Sequence, residues 1–330
     1  MVVAVNDHAL KFTNCLKTPN IDKNDTYGWE QMLNLQLPSP VQPLSHPIFQ
    51  EAGVEVWVKR DDLIHPFISG NKWRKLKYNL IAAKQAGLQT LVTFGGAYSN
   101  HLLALAAAGH AAGFSTVGIV RGEPPAIMNA IMLKMKEFGM QLFHVSRASF
   151  RQKSQELIYE CIGLPESEYM FIPEGGANVH ALHGVKEIWE ELPADFDYIC
   201  TAMGTGATLA GLCIAQKAKV LGVPVLKQGD LLAHDILRLL REYQMIYDPD
   251  FNPDYVDFEL QTNYHFGGYA KQPEDLKMFC KSFKNCSGLP IEPVYTGKLM
   301  YGLLDLLQKG YFASGSQILV LHTGGVFDIS

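Results

Sequence analysis

Residues 90–145 read TLVTFGGAYSNHLLALAAAGHAAGFSTVGIVRGEPPAIMNAIMLKMKEFGMQLFHV, and they set the fold class. Thr90–Phe94 is an apolar run of strand length. Asn100–Ala112 is rich in Ala and Leu, reads as a helix, and stops at Gly113. Thr116–Val120 is a second strand, Ala126–Phe138 a helix ending at Gly139, and Gln141–Val145 a third strand. Strands that alternate with helices across short glycine-bearing connections predict a parallel sheet covered on both faces.

The rhythm extends outward in both directions. Upstream, Val54–Lys59 (VEVWVK) alternates as a strand, and Asn71–Ala86 is a helix that stops at Gly87. Downstream, helices are predicted at Val185–Glu191, Thr208–Ala218 and Met300–Lys309, with strands at Tyr198–Ala202 and Gln317–His322. Residues 1–45 read as irregular, because Pro38, Pro40 and Pro43 fall among them and Pro47 follows. Two sheets with a cleft between them fit the length of 330 residues.

Composition narrows the function. Hydrophobic residues at 48% and charged residues at 18% describe a globular chain. A net charge of −5 without a basic block speaks against nucleic acid and against a basic membrane-binding face. No segment approaches the length of a membrane span, and the N-terminus lacks the charged start and apolar core of a secretion signal. Six scattered cysteines without a CxxC pair predict reduced thiols and a cytoplasmic protein. No HExxH or comparable spacing predicts a metal site.

Four segments carry candidate chemistry. Ser69-Gly70-Asn71-Lys72-Trp73-Arg74-Lys75 places Lys72 at a helix start, where the helix dipole and the charges of Arg74 and Lys75 would lower an amine's pKa. A lowered pKa suits an imine-forming lysine, although the same residues would serve as an ordinary solvated cluster. Gly95-Gly96-Ala97-Tyr98-Ser99-Asn100-His101 lies between a strand and a helix, fit either to bind an anion or simply to cap the helix. Gly204-Thr205-Gly206-Ala207-Thr208 follows a strand and favours a single phosphate group. Leu209 breaks the GxGxxG pattern that a dinucleotide would need, which also disfavours a nucleotide-dependent dehydrogenase. Tyr295-Thr296-Gly297-Lys298 and His322-Thr323-Gly324-Gly325 are turns that could line a crevice or be plain turns.

In this order and spacing the segments VKRDDL, SGNKWRKL, GGAYSNH, PEGGAN, GTGATLAG, GGYAK, EPVYTGK and LHTGG resemble the tryptophan synthase β-like enzymes that use pyridoxal 5′-phosphate (PLP). The nearer resemblance is to the group of 1-aminocyclopropane-1-carboxylate (ACC) deaminases and D-cysteine desulfhydrases, over roughly residues 38–325. It implies an α/β fold of type II: two three-layer α/β/α domains with the cofactor in the cleft between them. Residues 1–74 and 181–330 would form the larger, PLP-binding domain and residues 75–180 the smaller.

The resemblance also implies roles. Lys72 matches the Schiff-base lysine and Asn100 the contact to the cofactor's ring hydroxyl. Thr205, Gly206, Ala207 and Thr208 match the phosphate loop, with Lys75 a candidate further phosphate contact. Ser99 matches the substrate-carboxylate residue and a participant in proton transfer, with Tyr98, Asn100 and His101 beside the substrate. Tyr269 and Tyr295 match two active-site tyrosines, one near the ring face and one near the substrate. Thr296 and Thr323 stand at cofactor-facing positions where ACC deaminases carry glutamate and leucine, and both resemble the desulfhydrase pattern. Tyr98 departs from the glutamine usual there and adds bulk beside the carboxylate site.

The resemblance thus implies a homodimeric PLP lyase acting on a small amino acid, with β-elimination from D-cysteine the favoured activity. ACC deaminase is its close rival. A serine or threonine dehydratase or racemase is another, and a PLP-binding protein without catalysis is a rival of a different class.

Overall fold

The computed structural model describes residues 24–325. The chain opens with α1 (Asn24–Met32), β1 (Val41–Leu44), α2 (Pro47–Glu51) and β2 (Glu55–Lys59), and then enters α3 (Lys72–Gln85). So the proline-bearing stretch before residue 46 is not irregular throughout. Pro43 is accommodated because β1 lies at a sheet edge and pairs only with β2, where a missing N–H leaves no ladder bond unmade. The part of that expectation covering residues 1–23 lies outside the described residues.

The alternation follows: β3 (Thr90–Gly95), α4 (Asn100–Ala112), β4 (Ser115–Arg121), α5 (Ala130–Glu137), β5 (Gln141–Val145), α6 (Arg147–Gln152), α7 (Gln155–Ile162) and β6 (Tyr169–Ile172). These four strands form one parallel sheet in the order β5-β4-β3-β6. Its fifth helix starts at Ala130 rather than at Ala126, because the Asn129 side chain caps it, accepting from the Met132 N–H at 2.9 Å. α4 is buried from His101 to Gly109, as an apolar helix without a polar face must be.

The rest of the chain is α8 (Val179–Lys186), β7 (Tyr198–Met203), α9 (Ala207–Cys213), β8 (Lys219–Pro224), α10 (Leu232–Ile246), β9 (Phe258–Leu260), α11 (Glu274–Ser287), α12 (Thr296–Gln308) and β10 (Gln317–Leu321). With β1 and β2 they build a second sheet, ordered β1-β2-β10-β7-β8-β9 and parallel except for β1. β10, the last strand, sits in the interior between β2 and β7.

The core of the four-stranded sheet gathers Leu91, Phe94, Leu102, Leu105 and Ile119, and reaches back to Trp29, Ile64, Ile68 and Trp73. The six-stranded sheet is covered by one core on each face. Ile199, Leu209, Leu240 and Leu319 lie in one, and Val58, Phe283, Leu303 and Val320 in the other. α3 packs along α8, and the crossing is close: a Cβ on Gly184 would stand 1.9 Å from the Arg74 carbonyl oxygen. Among the described residues no helix is long and apolar enough to cross a membrane, and five cysteines are free thiols.

Candidate active site

The chemistry-bearing turns follow the carboxyl ends of strands: 96–99 after β3, 173–178 after β6, 204–206 after β7 and 322–325 after β10. In open parallel sheets that edge is where ligands bind.

Lys72 is the first residue of α3 and is half-buried. Burial lowers its amine pKa from 10.5 to about 8. The expected help from Arg74 is not realised, because that guanidinium is turned into a buried ion-pair network. It donates to Asp61 through Nε and Nη2 at 2.8 Å each, and to Glu191 through Nη1 and Nη2 at 2.8 Å each. Glu191 also takes Lys59 Nζ at 2.5 Å, and Ser39 Oγ donates to Asp61 at 2.6 Å. Burial opposes the Arg74 charge, but Asp61 and Glu191 outweigh it and raise the guanidinium pKa. The network therefore fixes the first turn of α3 and leaves the Lys72 amine to desolvation alone.

Lys75 is buried one turn on and donates to the Gly175 carbonyl at 2.6 Å. Burial, and then the nearby Lys72 charge, hold its pKa well below the usual lysine value. Gly175 and Gly176 both adopt positive φ, 71° and 69°, which lets the PEGGAN turn fold against its neighbours. A Cβ on Gly175 would stand 3.0 Å from Thr205 Cγ2, and one on Gly176 would lie 3.4 Å from both Lys75 Cβ and His101 Cε1. The Lys75 charge thus lies beside the Gly204–Thr208 loop, although its direct bond is to the PEGGAN backbone.

The Gly204–Thr208 loop turns on Gly206 (φ 81°) at the start of α9, with Thr208 buried and Thr205 half-buried. Asn71, immediately before Lys72, donates Nδ2 to Thr208 Oγ1 at 2.8 Å. The lysine and the loop are therefore joined through one buried amide, and the Asn71 Oδ1 has no partner among the described residues.

On the four-stranded side, Ser99 caps α4, its hydroxyl accepting from Leu102 N–H at 3.3 Å. Asn129 Nδ2 holds the loop by donating to the Ala97 carbonyl at 3.1 Å. Tyr98 projects outward, 71% exposed. His101, expected beside the substrate, is instead turned inward. It is buried, its Nε2 pairs with Thr93 Oγ1 at 2.9 Å, and its Nδ1 has no partner among the described residues. It stands in the His101–Gly109 stretch of α4, which is buried throughout. Burial, then Lys72 and Lys75, keep His101 neutral, with its pKa well below the usual value.

Tyr295 and Tyr269 meet edge-on, ring centroids 6.1 Å apart. Burial, then Tyr269, then Glu292 raise the Tyr295 phenol well above its usual pKa, so it remains a proton donor. A Cβ on Gly204 would lie 3.5 Å from the Tyr295 hydroxyl, which puts the threonine loop and the tyrosine on one cleft. Lys298, buried, holds the Tyr269 loop by donating to the Gly268 carbonyl at 2.8 Å. Thr296 is buried beside Glu292, and Thr323 is half-buried next to Gly324, whose backbone touches Gly70.

The PLP expected from the resemblance fits these residues. Lys72 offers an amine whose pKa burial lowers, and the Gly204–Thr208 loop offers backbone amides at the start of α9 with two hydroxyls, the donor set a phosphate takes. Asn71 Oδ1 and His101 Nδ1 are buried polar atoms without a partner among the described residues. Asn71, Lys298, Glu292 and the Asp61–Arg74–Glu191 network were not singled out from sequence. Asn71, Lys298, Glu292 and Asp61 lie inside quoted motifs, which was the available signal, while the network joins residues up to 152 positions apart.

The comparisons with known proteins agree. A Pyrococcus abyssi protein with a provisional ACC deaminase name is 31% identical over 304 residues, covering 87% of this chain and 89% of its own. The Arabidopsis thaliana protein named bifunctional D-cysteine desulfhydrase/1-aminocyclopropane-1-carboxylate deaminase, mitochondrial, is 29% identical over 332 residues, 89% and 77% respectively. A crystal structure described as an ACC deaminase homologue superposes with a TM-score of 0.76 at 28% identity, covering 91% of this chain and 95% of that one. Threonine deaminase isoform 2 from Solanum lycopersicum, at 15% identity and a TM-score of 0.61, shares the fold. Residues 33–324 match the family described as pyridoxal-phosphate dependent enzymes, a span that takes in both sheets and the cleft, and the chain belongs to that family.

Proposed function

We propose that this enzyme eliminates the β-substituent of a small D-amino acid, with D-cysteine and water giving pyruvate, ammonia and hydrogen sulfide. The observation that carries the reading is Thr296. At the start of α12 it offers a neutral hydroxyl, already bonded within its own turn, where an ACC deaminase would place a carboxylate. Expelling a thiolate demands less activation than opening a cyclopropane ring, so the weaker group suffices. A Yersinia enterocolitica relative at 26% identity is named D-cysteine desulfhydrase.

The assignment of roles is part of the proposal. Lys72 binds the cofactor and then, as a free amine, takes the α-proton. Asn100 meets the ring hydroxyl, and Thr205, Gly206, Ala207 and Thr208, with Lys75 behind them, hold the phosphate. The loop at Ser99 and Asn100 orients the substrate carboxylate, with Tyr98 at its outer edge. Tyr295, kept protonated, donates toward the leaving group, and Tyr269 closes the cleft beside it. Bound PLP supplies the electron sink for the pair left at Cα. A division at residues 75–180 and a homodimeric, cytoplasmic enzyme complete the reading.

ACC deamination is the second reading, because a carboxylate, Glu292, stands 3.2 Å behind the Thr296 hydroxyl. The test is sulfide release from D-cysteine by the PLP-loaded protein, with ACC consumption measured in parallel and Lys72→Ala as control. Fast sulfide release with ACC untouched supports desulfhydrase activity. ACC turnover without sulfide overturns it in favour of the second reading.

A further inference from the structure

Glu292 has a carboxylate held by three backbone N–H groups. Its Oε2 accepts from Val294 N–H at 2.6 Å, and its Oε1 from Tyr295 N–H at 2.9 Å and Thr296 N–H at 2.8 Å. Its backbone N–H donates to Thr296 Oγ1 at 2.9 Å, and its carbonyl accepts from Gly297 N–H at 2.7 Å. A Cβ on Gly325 would stand 3.1 Å from Glu292 Cγ, so the last turn closes over it.

A hydroxyl has one proton and two lone pairs. Thr296 Oγ1 accepts from Glu292 N–H with one pair. Its proton has two acceptors in reach, Glu292 Oε1 at 3.2 Å and the Glu292 carbonyl at 3.4 Å, and both point it back into the turn. Of the two, the carboxylate is the stronger acceptor. What remains for a ligand is a lone pair, and a group that meets a lone pair must bring its own proton.

We infer that Glu292 is a positioning residue that orients the Thr296 hydroxyl as an acceptor and so favours the protonated form of a pyridine nitrogen placed against it. The inference rests on the reading that Thr296 faces the cofactor ring. Cys280, Tyr295 and Lys298 are the titratable groups whose charge states also feel Glu292. A threonine backed by a carboxylate then acts as a partial substitute for the carboxylate itself, and the ring is a stronger sink than threonine alone would make it.

The experiment uses PLP labelled with ¹⁵N in the ring, loaded onto the full chain and observed by NMR. The wild-type nitrogen is expected at the protonated position. Glu292→Gln and Thr296→Val should each move it toward the unprotonated position while the protein still takes up the cofactor. An unprotonated nitrogen in wild type, or a signal unmoved in either variant, overturns the inference. Should Glu292→Gln fail to fold, Thr296→Val and the wild-type spectrum decide. Sulfide release from D-cysteine is followed separately: normal release with an unprotonated nitrogen sinks this inference alone, and absent release with a protonated nitrogen sinks only the substrate assignment.

Discussion

Asn71 Nδ2 donates to Thr208 Oγ1 at 2.8 Å, joining the residue before Lys72 to the threonine that ends the Gly204–Thr208 loop, the proposed phosphate site. Both are buried. Asn71→Ala removes the donor and frees the loop from α3. A net hydrogen bond of about 1 kcal/mol corresponds to roughly fivefold in affinity, so PLP titrated into the apo-variant should bind roughly fivefold more weakly. An unchanged titration curve would show that the loop is held by other means.

The Lys72 amine, lowered from 10.5 to about 8 by burial, sets a pH profile for cofactor capture. Only the neutral amine attacks a carbonyl. The rate at which apo-protein regains its absorbance band should rise about tenfold per pH unit below 8 and level off above it. A rate that keeps climbing toward pH 10.5 would mean an ordinary, solvated lysine. Lys72→Ala should show neither the band nor turnover.

Arg74 lies in the same helical turn as Lys72 but serves stability. Its side chain is 2% exposed and Asp61 is fully buried, so Arg74→Ala leaves a buried charge without its partner. Breaking such a pair typically costs about 3–5 kcal/mol, which a urea titration would detect. The exposed Lys134–Glu137 pair is the control, and Lys134→Ala should change stability by less than about 1 kcal/mol. Equal effects at the two sites would refute the ranking.

Gly184 should not tolerate a side chain. Its Cβ would stand 1.9 Å from the Arg74 carbonyl oxygen, which is backbone and cannot rotate away. Gly184→Ala is expected to destabilise by about 1–3 kcal/mol as α8 is pushed off α3, and to slow cofactor capture because α3 carries Lys72. A melting temperature equal to wild type would mean that the two helices separate freely.

Much of this was readable in the sequence because it is local. The strands at 90–94, 116–120 and 141–145 and the helix at 100–112 announce themselves through apolar runs of the right length, whereas the order of the strands in the sheet is seen only in the structure. Lys72, Thr205, Tyr295 and Thr296 were legible as motif residues. Glu292 was not: its role comes from a turn that brings three N–H groups onto one carboxylate, and nothing in the string IEPVYTGK says which way that turn closes. His101 could not be placed from the sequence, because the motif does not say how far the helix turns each side chain. A helix rotates each successive side chain by about 100°, and His101 is buried against Thr93 while its Nδ1 has no partner among the described residues. The Arg74 network was hidden by distance along the chain, since Asp61 and Glu191 flank it from opposite ends.

The place of β10 in the sheet has a consequence for how the enzyme is made. Among the described residues Gln317–Leu321 is the last strand in chain order, yet it is the one that joins β1-β2 to β7-β8-β9. The turn just after it brings Thr323 and Gly324 against Gly70, two residues from Lys72. A growing chain therefore carries its lysine for some 250 residues before the wall behind that lysine exists. A chain stalled short of β10 would expose an unpaired edge at β2 and at β7, each a template for pairing with another chain.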